Sequence, residues 1–360
     1  MITYNNLYSQ IYAFENLYLA YIEAAQNKRY HSDILLFSAN LEENLITLQN
    51  ELIWKTYQPQ PFTEFLVYDP KKRFILAPAF RDRVIQCAVH RIVAPIYWRT
   101  FIDDSYACLP GKGPQKAALR VQHCLRVARD SPYDWAVGQM DVLKFFFRIP
   151  YDVQLRELAR PIRDKKLLWL YETMLVGTGL AYGLPEDVGS NIEDAERIYG
   201  LGMPTGCLLS QLTGNVCLSR IDNVMKREEG VRYLVRYMDD TFMADDSMDK
   251  IKHYVAAYEY HLETKLQLKL NKKTKIQPAN LKVQYVGYQI TPEQIRLRKS
   301  TALRIRRSLK KYQELYNSGK ITLEELRPAL FSYMGMLDFG NCQNLKKEIL
   351  DNFVLCQDTI

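Results

Sequence analysis

A chain of 360 residues is long enough for two or three packed units and a sizeable core. With 48% hydrophobic and 25% charged residues it has an ordinary globular balance, which excludes an intrinsically disordered chain. A formal charge of +7 is too modest to name a partner, so only its distribution is informative. The cysteines, Cys87, Cys108, Cys124, Cys207, Cys217, Cys342 and Cys356, are odd in number and contain no C-x-x-C. That pattern argues against a disulfide framework and a zinc site, and free thiols in a reducing cytoplasm are expected. The N-terminal stretch MITYNNLYSQIYAFENLYLAYIEAAQ lacks a basic leader and carries Glu15 and Glu23, so no signal peptide is expected. No apolar run approaches the roughly 18 residues of a membrane span, and a soluble cytoplasmic protein is the expectation.

Residues 5 to 55 read as two helices, with apolar residues recurring at three- and four-residue spacing. FTEFLVY and RFILA then predict a hairpin turning at Asp69-Pro70-Lys71-Lys72. FRDRVIQCAVHRIVAPIYWRTF predicts a helix ended by Pro95. DWAVGQMDVLKFFFRIP reads as a buried strand leading into a turn, and QLRELARPIRDKKLLWLYETMLVG as a helix. A Gly-rich connection over 178 to 205 leads to a long helix, GCLLSQLTGNVCLSRIDNVMKRE. VRYLVRYMDDTFMADD predicts a hairpin, SMDKIKHYVAAYEYHLETKLQL a helix, and VQYVGYQI and IRLR strands, with helices to the end. From Arg296 to Lys311, half of the sixteen residues are Lys or Arg and none is acidic. Such a run is either a solvated helix face or a surface that tracks phosphates. The organisation expected is a helical extension over 1–50, a mixed body over 51–290 and a basic helical unit over 291–360, with the boundary near Thr291-Pro292.

One stretch stands out chemically. In LVRYMDDTFMADD the adjacent Asp239 and Asp240 sit at a predicted hairpin tip among apolar neighbours. Asp favours turns, so an adjacent pair is commonly structural. A third carboxylate changes the weighing: Asp141 ends the apolar DWAVGQM and opens DVLKFFFRI. Clustered carboxylates raise each other's pKa unless a cation lies between them. Magnesium suits such sites, taking one or two carboxylates plus substrate phosphates. Two such ions activate an attacking hydroxyl and stabilise a leaving oxygen, which is the chemistry of nucleotidyl transfer.

Tyr237-Met238-Asp239-Asp240 resembles the Y-x-D-D of reverse transcriptases, and Asp141-x-x-x-Phe145-Phe146 their first palm motif. GMPTGCLLSQLTGNVCLSRID, LNKKTKI and QYVGYQI resemble the later palm motifs in the same order, and FILAPAFRDRVIQCAVHRIVAPIY with FIDDSYACLPGKGPQKAA resembles the fingers of group II intron-like bacterial enzymes. The resemblance covers nearly the whole chain. It implies an α+β right-hand polymerase with fingers and palm over 51–290 and a basic helical thumb over 291–360.

The resemblance also implies roles. Asp141 and Asp239 would bind two Mg2+ ions, or Mn2+ as a substitute, helped by the Val142 carbonyl and supported by Asp240. Phe146 matches the steric gate beneath the sugar, which favours deoxynucleotides; the bland alternative is that Phe145, Phe146 and Phe147 are core, with one facing outward by strand alternation. Arg73 and Arg81 match positions that grip the triphosphate, while Arg83 reads as a surface ion-pair partner. Thr205, Gly206, Ser210 and Gln211 would lie along the nascent base pair, and Lys273 matches the lysine that protonates pyrophosphate. Val286-Gly287 would form the primer grip. Arg296, Arg298, Lys299, Arg304, Arg306 and Arg307 would follow the template-primer backbone.

Within the family, Gly206-Cys207-Leu208-Leu209-Ser210-Gln211 resembles the G-x-x-x-S-Q of diversity-generating retroelement enzymes. SGKITLEELRPALFSYMGMLDFGN in the thumb is similar to that group too. Such bacterial or phage-encoded enzymes make mutagenic complementary DNA from a template-repeat RNA, with errors at template adenines. They work with a small basic pentameric accessory protein. Thr205 departs from the pattern, because relatives often carry an aliphatic residue there. Retron-type and antiphage-defence enzymes share the palm and fingers. A non-catalytic RNA-binding scaffold and a template-independent polymerase are the remaining alternatives.

Overall fold

The computed structural model describes residues 2–67, 73–175, 179–188 and 195–356. In chain order, α1 (Tyr8–Ile11), α2 (Phe14–Ala24), α3 (Ser32–Ala39) and α4 (Leu41–Trp54) precede the strands β1 (Thr63–Val67) and β2 (Arg73–Ala77). Next come α5 (Phe80–Trp98), α6 (Pro114–Arg129), β3 (Ala136–Met140), α7 (Phe145–Arg148), α8 (Tyr151–Leu158), α9 (Lys165–Leu175) and α10 (Leu208–Arg227). They are followed by β4 (Tyr233–Tyr237), β5 (Asp240–Asp245), α11 (Met248–Leu266), β6 (Lys275–Pro278), β7 (Val283–Tyr285), β8 (Tyr288–Ile290) and β9 (Ile295–Leu297). The helices α12 (Lys299–Asn317), α13 (Leu323–Phe339) and α14 (Gln343–Asp351) complete the order. Two compact units share these elements, each drawing on three separate segments. The first takes Met1–Asp103, Met140–Val231 and Tyr254–Thr274; the second takes Asp104–Gln139, Arg232–His253 and Lys275–Ile360.

The first unit is largely helical, and its core is built from α2, α4, α5, α9 and the start of α10. The region expected to hold two helices, 5 to 55, contains four, because Tyr12-Ala13, with Ala13 at ψ 131°, a polar stretch over 25–31, and Asn40, outside helical geometry at φ −125°, interrupt the pattern. Pro95 does not end α5, which runs on to Trp98. The ring removes one helical hydrogen bond, but Val93, Ala94 and Tyr97 around it are fully buried, and their packing holds the helix through it. The helix expected from Gln154 onward is two, α8 and α9, parted around Pro161. Asp164 makes the join: its carboxylate accepts from the N–H groups of Lys166 and Leu167 at the start of α9 and from Leu7 and Tyr8 of the N-terminal segment, at 2.8 to 3.3 Å. Burial raises its pKa, yet those four donors together hold it below the ordinary aspartate value. The predicted hairpin is present, with Thr63 opposite Ala77 and Val67 opposite Arg73; its expected turn, Asp69 to Lys72, lies outside the described residues.

In the second unit the sheet order is β4-β5-β3-β6, with β4 and β5 antiparallel and β3 and β6 antiparallel. Val137, Val235, Phe242 and Ala244 put one face of this sheet into a core shared with α6, whose Ala117, Val121 and Leu125 are buried. A three-stranded sheet, β7-β8-β9, follows, and β8 pairs with β9 across Thr291-Pro292. The basic run is not one helix, since Arg296 lies on β9 and α12 starts at Lys299. Ile305, Leu309 and Leu337 bury one face of α12 and α13, and a Thr322–Glu325 capping box starts α13.

Candidate active site

The acidic pair sits where the sequence placed it. Tyr237 pairs with Asp240, so Met238 and Asp239 alone make the turn between β4 and β5. Asp239 is half-buried and Asp240 exposed. Met238 has φ +52°, a left-handed conformation that costs a side-chain-bearing residue roughly 1–2 kcal/mol. Arg236 holds it there. This arginine is fully buried, and its guanidinium donates to the Met238 carbonyl at 3.2 Å and to the Ser105 hydroxyl at 3.0 Å. Its backbone is fixed as well, donating to the Asp104 carbonyl and accepting from the Tyr106 N–H, each at 2.9 Å. Asp104 in turn receives the Arg120 guanidinium of α6 through two bonds of 2.9 and 3.0 Å.

The second anchor comes from the β7–β8 hairpin. The Tyr285 hydroxyl lies between the carbonyls of Asp240, at 3.0 Å, and Val235, at 3.2 Å. Val286 and Gly287 form the tip as predicted, at φ +42° and +89°. A β-branched residue at positive φ is strained, and the tip is tied down: Thr301 Oγ1 donates to the Gly287 carbonyl at 3.1 Å, and the Arg298 N–H donates to it at 3.2 Å. Arg298 is half-buried rather than presented on a basic face. Burial pushes its pKa down, and the Asp240 charge works against that. Arg296, Lys299, Arg306 and Arg307 are exposed, Arg304 is half-buried, and Arg306 pairs with Glu348.

Asp141 follows β3 directly and belongs to the first unit. Asn271 holds it twice, donating from its amide to Asp141 Oδ2 at 3.0 Å and from its backbone N–H to the Asp141 carbonyl at 2.7 Å. The Leu143 N–H donates to the Lys269 carbonyl at 2.9 Å, which makes Val142 and Leu270 a non-hydrogen-bonded antiparallel pair. In that geometry the Val142 carbonyl points away from the 269–271 segment. Lys273 is exposed, and its N–H donates to Asn271 Oδ1 at 3.1 Å. Replacing Asn271 by Ala keeps the backbone bond and removes the amide. Losing such a supporting partner lowers metal affinity or activity by about 10–100-fold. If Asp141 holds the metal that the sequence resemblance implies, the expected result is a raised Mg2+ concentration for half-maximal synthesis at an unchanged melting temperature; an unaltered Mg2+ titration would remove Asn271 from the site.

The three phenylalanines lie on one helical turn, α7, and not on a strand, so the expected alternation does not apply. Lys144, at φ +47°, starts the turn, and its ammonium donates to the carbonyls of Pro185, Glu186 and Val188. Phe145 is buried against Gly214 of α10, where an added Cβ would meet the ring at 2.9 Å. Phe146 is half-buried, and its carbonyl accepts from the Met203 N–H at 2.7 Å. Gly206 requires its identity: φ is +111°, and a Cβ would stand 3.0 Å from the Leu76 carbonyl and from Ile75. The Thr205 hydroxyl, the departure noted in the sequence, donates to the Phe74 carbonyl of β2, and the Thr205 carbonyl accepts from Leu76 N–H at 2.7 Å. Its extra oxygen is therefore used within the fold. Ser210 is buried with a hydroxyl that has no partner among the described residues, and Gln211 is exposed on the first turn of α10. Gln86 of α5 accepts from the Leu208 N–H at 3.1 Å and so caps that helix.

Arg73 is exposed and pairs with Val67, at the end of the hairpin next to the 68–72 connection. Arg81 is engaged instead with Glu51 and lies over the Tyr57 ring, 6.0 Å from its centre. Arg83 is half-buried, with no ion pair among the described residues. Among the described residues no group of three or more His, Cys, Asp or Glu side chains could hold a metal ion by itself. The ligands expected from the sequence, the Asp141 and Asp239 carboxylates, each half-buried, and the Val142 carbonyl, are hard oxygens of the type magnesium accepts when phosphates complete its shell. The donor chemistry fits that ion. Sequence reasoning missed Arg236, Asn271, Tyr285 and Gln86. A lone cation within the apolar strand preceding the acids was the available signal for Arg236.

An α+β fold with an acidic two-residue turn at the edge of an antiparallel sheet is that of a right-hand polymerase. Apo telomerase from Candida tropicalis shares it, with a TM-score of 0.51 over 89% of this chain and 65% of that chain at 12% identity. A model of the reverse transcriptase (RNA-dependent DNA polymerase) family matches residues 68–290, more than half of the chain, and the chain belongs to that family. It is 27% identical to Protein YkfC of Escherichia coli over 194 residues, 53% of this chain and 47% of that protein. It is also 27% identical to nuclear intron maturase 2, mitochondrial, of Arabidopsis thaliana over 174 residues, 43% of this chain and 21% of that protein. The chain thus spans less than half the length of either relative. No helix among the described residues is long and apolar enough to cross a membrane.

Proposed function

We propose that this chain is a magnesium-dependent, RNA-directed DNA polymerase whose two metal ions are held by Asp141 and Asp239, with the Val142 carbonyl and Asp240 in support. The observation that carries this reading is the strand order: β3, which ends one residue before Asp141, neighbours β5, which begins one residue after Asp239. When bound, the ions lower the pKa of the primer hydroxyl and stabilise the leaving pyrophosphate. The protein's own work is positioning. Arg236 and Tyr285 hold the acidic turn, Asn271 orients the Asp141 carboxylate, and Gly206 allows the β2 backbone to approach. Phe146 would close the sugar pocket against a 2′-hydroxyl, Arg73 would take the triphosphate, and exposed Lys273 would donate the proton to pyrophosphate. Arg81 contributes to that grip only by leaving Glu51.

We further infer the diversity-generating role: mutagenic copying of a template-repeat RNA, in the cytoplasm, with a small basic pentameric accessory protein. The G-x-x-x-S-Q form of Gly206 to Gln211 supports it. Primer extension on a defined RNA with the four deoxynucleotides, followed by sequencing of the product, tests both levels. RNA-templated extension is expected, with misincorporation concentrated opposite template adenines. Faithful extension would leave the polymerase and remove the mutagenic role, and no extension would remove both.

A further inference from the structure

The C-terminal half of α10, with the ends of α5 and α8, encloses a cleft of about 340 Å³ lined by Arg99, Arg160, Arg220 and Arg227. One carboxylate, Glu157, lines it with them, 3% exposed, and its oxygens are taken by Arg156 at 3.2 Å and Arg160 at 3.4 Å. Arg220 and Arg227 have no carboxylate partner among the described residues, and Arg99 donates to the Tyr4 hydroxyl at 3.4 Å. Arg220, Asn223 and Arg227 stand at i, i+3 and i+7, one face of the helix. Gathering four guanidinium groups around one carboxylate is electrostatically costly unless an anion joins them.

The uncharged lining groups narrow what that anion is. The Thr100 hydroxyl donates to the Tyr97 carbonyl at 2.7 Å, the Ser219 hydroxyl to Val216 at 2.8 Å, and the Asn223 amide to Thr100 and Ser219. Their donors are spent inside the fold, so little remains to read a base. Guanidinium forks match phosphate oxygens whatever base is attached. Along α10, Arg220 and Arg227 lie roughly 15 and 25 Å from Ser210 at 1.5 Å per residue, so a ligand here is not the one at the helix's N-terminal end.

We propose that this cleft is a second phosphate-binding site, which holds the sugar–phosphate backbone of single-stranded RNA lying outside the primed duplex. The choice of RNA rests on the polymerase reading above. The test uses the full chain and its Arg220→Ala/Arg227→Ala variant with two labelled probes. One is a short blunt primed RNA duplex; the other is the same duplex carrying a 40-nucleotide uridine overhang on each side. For the overhanging probe the variant is expected to bind about tenfold more weakly. Its plot of log affinity against log salt should be shallower by roughly 1.4, two phosphates at about 0.7 each. Binding of the blunt duplex should be unchanged. Equal affinity and slope for the overhanging probe, or an equal loss on both probes, would overturn the proposal. Extension of a short primed template by the unaltered chain reads the polymerase separately, so failure of that reading is distinguishable from failure of this one.

Discussion

Asp239→Asn should abolish RNA-templated synthesis while the protein folds as before, and Asp141→Asn should do the same. Asparagine keeps the size of the side chain and removes the charge that a hard cation requires. Metal stabilisation of the transition state is worth several kcal/mol, and each 1.36 kcal/mol is a factor of ten, so a loss of roughly 10³-fold or more is expected. Both carboxylates are half-buried, and Asp239 has Asp240 beside it, so removing one charge relieves repulsion. Melting temperature should hold or rise. Extension of a primed RNA by each purified variant, with thermal unfolding measured in parallel, checks this, and residual synthesis within tenfold of the unaltered chain would take the residue out of the metal site.

The second large effect belongs to Arg236, and it separates folding from chemistry in the opposite sense. Arg236→Met fills the buried space but leaves the Met238 carbonyl and the Ser105 hydroxyl without their donor. Leaving each of those two buried acceptors unsatisfied costs about 1–3 kcal/mol, together a large share of the 5–15 kcal/mol of a typical domain. A pronounced drop in melting temperature is expected together with loss of synthesis. Arg236→Lys keeps the charge and loses the planar fork, so it should restore much of the stability. Synthesis should remain depressed, with a raised Mg2+ requirement, because the turn carrying Asp239 is no longer pinned. If Arg236→Lys shows unaltered Mg2+ dependence, the arginine serves stability alone.

How much of this was legible beforehand depends on how local the cause is. The hairpin carrying Asp239 and Asp240, the long helix α10 and the Val286-Gly287 turn are written in adjacent residues, by alternation, helical spacing and a glycine at a tight turn. Pro95 and the phenylalanine triplet misled because packing overrode a local rule: a buried helix carried the proline, and a left-handed Lys144 turned the triplet into a helix. Asn271 could not be found by spacing, since it meets Asp141 across 130 residues of chain. Arg236 is nearer, two residues from Met238, yet its role depends on Ser105, which no periodicity links to the hairpin. The interleaving of the two units is likewise a property of long-range contacts, whereas a reading by composition yields contiguous segments. Arg81 was chosen by motif, and its engagement with Glu51 of α4 is equally nonlocal.

The most direct measurement is anomalous diffraction from crystals of the protein with Mn2+, a primed RNA and a non-hydrolysable deoxynucleotide. Two manganese peaks about 3.5–4 Å apart, both bonded to carboxylate oxygens of Asp141 and of Asp239, are predicted. Peaks that touch one of these residues and leave the other unligated would contradict the shared metal centre on which the proposed function rests.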